Sequence, residues 1–172
     1  MGGQPCKNNL RHNDPEVIIM KKRYIAAVLA IILLATVSCT YAADATIGDD
    51  YKFTVPDGYN VTEHGDDFAF LEGNGTYAIR ISPFKSMPTA DALANQYKAG
   101  GFDVKEQDTI SENGSDIVFV HFIDKEDQIY VYVWKVDGKD CVMAVYGYPE
   151  SDPATAWADS PVKEIHDSIV KI

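Results

Sequence analysis

The stretch Ile129-Tyr130-Val131-Tyr132-Val133-Trp134-Lys135-Val136-Asp137-Gly138-Lys139-Asp140-Cys141-Val142-Met143-Ala144-Val145-Tyr146 decides the fold. Two apolar runs flank Asp-Gly, a dipeptide that tolerates the positive φ angles of a tight hairpin turn. β-branched and aromatic residues dominate both runs, which favours strands over helices. A two-residue turn puts Tyr130, Tyr132, Trp134, Cys141, Met143 and Val145 on one face. Ile129, Val131, Val133, Val142, Ala144 and Tyr146 then take the other. Neither face is polar, so the hairpin belongs to a sheet covered on both sides.

Outward from this hairpin the alternation continues. Asp116–Ile123, Ile129–Val136 and Cys141–Tyr148 form a meander, with the first turn at Lys125-Glu126-Asp127. Asp103–Ile110 adds a strand before Asn113-Gly114. Further upstream, Tyr51–Val55 stops at Pro56-Asp57-Gly58. Tyr59–Glu63 and Phe68–Leu71 follow as short strands about Gly65-Asp66, and Asn74-Gly75 turns the chain into Thr76–Ser82.

Two stretches read as helices. Ala90, Leu93, Ala94 and Tyr97 recur at helical spacing behind the N-cap candidate Thr89, and Gly100-Gly101 ends the run. Asp152-Pro153 has the form of a second helix start, which Pro161 interrupts and Ser160-Pro161 renews. Val162, Ile165, Ile169 and Ile172 supply the apolar stripe of that C-terminal helix. The expected fold class is α+β, an antiparallel sheet flanked by helices, as one domain over residues 43–172.

The succession from Val55-Pro56-Asp57-Gly58-Tyr59, through the small-residue helix and Gly101-Phe102-Asp103-Val104, to the meander and terminal helix resembles the extracytoplasmic PsbP/DcrB-like superfamily. That resemblance covers residues 48–172. It implies an α/β/α sandwich of the kind used by lipoproteins and by extrinsic subunits of membrane complexes. The superfamily has no shared catalytic motif, so the resemblance assigns no site residues.

The beginning of the chain reads as an address. Met20-Lys21-Lys22-Arg23 precedes an apolar run from Tyr24 to Val37, the layout of an export signal. Val37-Ser38-Cys39 resembles the end of a lipobox, which makes Cys39 the lipidation candidate. Two alternatives compete: cleavage after Ala42 would release a soluble protein, and the uncharged Tyr24–Ala43 stretch could stay as an anchor. Residues 1–19 suit no part of a signal, and translation from Met20 accounts for them best. The expected location is extracytoplasmic, on the membrane through the lipid or anchor, or else secreted.

Charge sharpens the class. The net charge of −11 averages a leader, residues 1–42, with five Lys/Arg against two acids and a domain with ten against twenty-four. A domain at −14 repels phosphate backbones, which excludes nucleic acid as a partner. The only cysteines are Cys6, Cys39 and Cys141, so no disulfide framework is built into the domain.

Chemistry-bearing residues are sparse. Asn60-Val61-Thr62, Asn74-Gly75-Thr76 and Asn113-Gly114-Ser115 are glycosylation sequons, although Asn-Gly turns account for Asn74 and Asn113 without any modification. Glu63-His64-Gly65-Asp66-Asp67, with Asp49-Asp50, is acidic but lacks the spacing of a calcium loop. His64, His121 and His166 have no zinc spacing, and Cys141 stands among apolar neighbours. No Gly-X-Ser-X-Gly elbow occurs. Tyr130, Tyr132 and Trp134 read as core beneath a helix. Tyr146 and Tyr148, toward the sheet edge, and Trp157 after it are the ligand-surface candidates.

The function these features favour is an exported, membrane-tethered, non-enzymatic domain that binds an envelope protein or another ligand, with no cofactor. A secreted hydrolase with histidines beside a carboxylate and a calcium-dependent surface module are the alternatives.

Overall fold

The computed structural model describes residues 43–172. The expectations for residues 1–19, for the export segment 20–42 and for Cys39 lie outside the described residues. Ten strands and two α-helices make up the rest. The strands are β1 Asp44–Ile47, β2 Tyr51–Thr54, β3 Tyr59–Gly65, β4 Phe68–Gly73, β5 Tyr77–Phe84, β6 Asp103–Glu112, β7 Ser115–Asp124, β8 Asp127–Val136, β9 Asp140–Pro149 and β10 Val170–Lys171. The helices are α1 Ala90–Ala99 and α2 Pro161–Ser168. Among the described residues no helix is long and apolar enough to cross a membrane.

A seven-stranded antiparallel sheet in the order β3-β4-β5-β9-β8-β7-β6 carries the fold. One face buries Val118, Val120, Phe122, Val131, Val133 and Cys141 with Leu93 and Ala94 of α1. The other face buries Trp134, Tyr132, Tyr146 and Tyr148 against Ile47, Tyr51 and Phe53 of β1 and β2 and against Val162 and Ile165 of α2. The strands β1-β2-β10 form a second, three-stranded sheet.

This corrects the expected α/β/α sandwich. The protein is mostly antiparallel β, with a ten-residue helix and an eight-residue helix where layers of helices were expected. Two local causes account for the difference. Residues 44–47, upstream of the first expected strand, pair with β2 and supply another. After β9, no helix starts at Asp152-Pro153. Ser160 must stay extended before Pro161, with φ −75° and ψ 135°, which leaves only a 3₁₀ turn at Trp157–Asp159. The helix then ends at Ser168, and Ile172, expected on its stripe, is exposed beyond β10.

The decisive hairpin is also shifted by one residue. Asp137 and Gly138 take φ of 51° and 73°, and the Lys139 amide donates to Val136 O. Pairing resumes with Val136 opposite Asp140, so Lys139 is an extra residue. A one-residue slip exchanges the faces of a whole strand. Trp134, Tyr132 and Tyr130 therefore stand opposite Val142, Ala144 and Tyr146, while Cys141, Met143 and Val145 join the opposite face with Val131 and Val133.

The helix termini follow their local sequence. Thr89 Oγ1 accepts from Ala92 N, capping α1. Gly101, at φ +90°, lets its amide reach Lys98 O and the Phe102 amide reach Tyr97 O, the double closure of a Schellman end. Phe102 then packs its ring on Tyr97 and on Phe122 of β7. Both free edges of the large sheet, β3 and β6, carry a register irregularity, at Val61/Glu63 and at Val104/Glu106. Such breaks discourage strand addition by another chain.

Candidate functional site

The corrected register builds an aromatic floor. Cross-strand pairing runs Ile79, Tyr146, Tyr130, His121 and Glu106 in one row across β5, β9, β8, β7 and β6. In the neighbouring row Tyr77 and Tyr148 stand opposite each other by the same register, and Tyr148 faces Gln128. Rings stack along and across the strands. Tyr130 lies 5.9 Å from Tyr132, 6.1 Å from Tyr148 and 4.2 Å from the His121 imidazole, all nearly parallel.

A strap formed by residues 150–160 crosses this floor and is tied down at several points. The Thr155 amide donates to Tyr148 Oη at 2.8 Å, and Gln128 Nε2 donates to Asp152 O at 2.7 Å. Tyr77 Oη donates to the Asp152 carboxylate. At the far end Trp157 Nε1 donates to Glu112, which also pairs with Lys163 of α2 at 2.8 Å. Lys163 in turn reaches Asp167 at 2.6 Å. The hydrogen bonds from Lys163 and Trp157 hold the Glu112 carboxyl below the usual range, so it stays a charged acceptor.

An open pocket of about 300 Å³ remains between strap and floor. Phe119, Tyr130, Tyr132 and Trp157 wall it with Ile110, the strap residues Ala154–Ala156 cover it, and Glu106 is its charged member. Farther along the strap a second pocket of about 260 Å³ is lined by Tyr59, Tyr77 and Tyr146 with Asp57, Asp159 and Glu164. Burial pushes the phenols of Tyr130, Tyr132 and Tyr146 well above their ordinary range, so all three are neutral donors at physiological pH.

The three ligand-surface candidates are differently placed. Tyr146 and Tyr148 are only 3% and 1% exposed, because β9 is a central strand and the strap lies over its end. Tyr146 still borders the second pocket, and Tyr148 anchors the strap. Trp157 is half-buried and forms a wall of the first pocket. Tyr130 and Tyr132 are core residues, as expected, and also line the floor of that pocket. Glu106 and Phe119 went unnoticed because only the β6–β7–β8 register brings them beside those tyrosines.

The remaining candidates are dispersed. His64 is exposed on β3. His166 lies edge-on to Trp134 and Trp157 and bonds Asp167 at 2.9 Å. His121 belongs to the floor. Cys141 is buried, and burial pushes its thiol up. Asn60, Asn74 and Asn113 are all exposed, and the last two occupy turns at φ 46° and 53°. Among the described residues no group of acids, histidines and cysteines is placed to hold a metal ion. No protein-family model and no curated protein matches the chain.

His121 gives the site a pH signature. Burial lowers its pKa from 6.5, while the charge of Glu106 opposite works the other way and Lys105 reinforces the fall. Below about pH 6.5 the unfolded chain then binds more protons than the folded one, so stability is lost as pH drops through this window. In His121→Phe, which keeps a ring against Tyr130, the loss in urea midpoint between pH 7 and pH 5 is expected to shrink. An undiminished loss would assign the pH dependence to other groups.

Proposed function

We propose that this is an exported, membrane-tethered, non-enzymatic domain that binds a ligand or partner of the cell envelope. The observation that carries the binding role is the aromatic floor kept open beneath a tied strap. Pockets of this kind, apolar and aromatic with few polar groups, are where small ligands are held. The basic and apolar leader before residue 43 supports export. Several side chains suited to chemistry are engaged in structure: Glu112 and Lys163 lock the strap, His166 is bound to Asp167, and Cys141 is buried in the core.

Fractionation of the native host, followed by intact mass measurement, tests the tether. The expected product sits in the membrane fraction, begins at Cys39 and carries the added mass of lipid. A full-length, unmodified chain in the cytosol would overturn the proposal. Crosslinking in intact membranes tests the binding role, with one reproducible envelope component expected.

A further inference from the structure

The geometry points to the strap pocket as a cage for an organic cation, an alkylated ammonium group. This deepens the binding role proposed above and rests on it.

Tyr132 is the centre of the argument. Phe119, Tyr130 and Trp157 surround its ring with centroids at 6.0, 5.9 and 5.0 Å, and the rings of Phe119 and Trp157 are tilted against it by 35° and 51°. A pocket lined by aromatic rings offers negative quadrupole wherever a ring face borders it, which attracts a cation and not an anion. Glu106 adds a full negative charge at the same pocket and makes no ion pair among the described residues. Its neighbour Lys105 is engaged with Asp103 at 2.5 Å. The surrounding domain, at −14, contributes a field of the same sign.

Polar capacity decides against a sugar. A saccharide needs several donors and acceptors placed around the ring, yet the pocket lining is mostly aromatic and apolar. The Trp157 indole is already bound to Glu112, and Tyr148 Oη beside the pocket accepts from the Thr155 amide. The lining is chiefly ring surface with one carboxylate. An alkylated ammonium needs little more, since its methyl groups carry the charge and form no strong hydrogen bonds. A volume of about 300 Å³ admits such a headgroup with its first carbons.

Choline and its uncharged isostere 3,3-dimethylbutan-1-ol separate charge from shape. Titrated calorimetrically into the full chain, choline is expected to saturate in the micromolar-to-millimolar range. The isostere should bind roughly tenfold more weakly, the loss of the cation–π and carboxylate attraction. Glu106→Gln should weaken choline by about fivefold without altering the isostere. Trp157→Ala should abolish binding and Trp157→Phe should retain it. The Phe variant keeps the test valid if the Ala variant does not fold.

Equal affinity for the two probes, no saturation by choline at tens of millimolar, or saturation by a neutral sugar in its place would each overturn the cation cage. None of these would touch the membrane-fraction and mass result, on which the tethered-domain reading stands or falls.

Discussion

Trp134→Ala is expected to destabilise the domain by about 3–5 kcal/mol, which at this size lowers Tm by roughly 10–20 °C. Trp134 is only 1% exposed, in the core on the sheet face covered by β1, β2 and α2. It pairs with Ile117 on one side and Val142 on the other, and its ring meets the His166 edge from α2 at 5.6 Å. Truncation leaves a cavity walled by three different elements, none free to collapse onto it. Its Nε1 is buried without a hydrogen-bond partner among the described residues. Trp134→Phe therefore sheds area but also removes an unsatisfied donor, and its cost should stay near 1 kcal/mol. Urea denaturation followed by far-ultraviolet circular dichroism measures both. An Ala variant within about 1 kcal/mol of wild type would contradict the packing described for this residue.

The same residue shows which parts of the fold can be read from sequence. Alternating apolar residues placed Trp134 in a strand, and the two-faced pattern required cover on both sides. Cover came from one helix on one face and, on the other, from a small sheet and a short helix. No local pattern distinguishes those coverings, because Ile47, Tyr51 and Phe53 meet Trp134 only through the tertiary fold. Register was illegible for a similar reason. Asn113-Gly114 closes a hairpin with Glu112 opposite Ser115, whereas Asp137-Gly138 carries an additional Lys139 before pairing resumes. Nearly identical dipeptides thus select opposite faces for the following strand. The candidate site inherits this limit: its aromatic residues stood out in the composition, but their assembly into a floor depends on Tyr146 facing the same side as Tyr130.

The strap illustrates a further conflict between local and global preference. Asp152-Pro153 has the local form of a helix start, yet Asp152 is used at both ends of its chemistry: its carboxylate accepts from Tyr77 and its carbonyl accepts from Gln128. Extended backbone brings Thr155 over Tyr148 and Trp157 over Tyr132. A helix beginning at Pro153 would withdraw those residues from the floor. Pro161 enforces the extension by restricting Ser160, which then caps α2 through its side chain at 3.3 Å from the Val162 amide. The pocket exists because this segment is long enough to span the floor and too constrained to coil above it.

The second large effect is expected at Gly48, where the small sheet touches the large one. Gly48 opens the β1–β2 turn at φ +53°, and its amide donates to Gly65 O at 3.2 Å. A Cβ at this position would stand 2.5 Å from the Asp66 carbonyl oxygen, a backbone atom that no rotamer change can move. Gly58 provides the comparison: its φ is +83°, and nothing lies within 4 Å of the added carbon. Gly58→Ala should therefore incur the left-handed backbone strain alone, about 1 kcal/mol. Gly48→Ala adds displacement of one hairpin tip from the other, for a total of roughly 3 kcal/mol or more. Because Ile47 is wholly buried beside this turn, the displacement also loosens the core beneath it. Hydrogen exchange should then show faster exchange at the amides of Gly48 and Val55 at the two ends of the β1–β2 pair, with α1 unchanged. Equal costs for the two alanines would mean that the hairpin tips do not bear on each other, and that the small sheet is held to the large one by its apolar side chains alone.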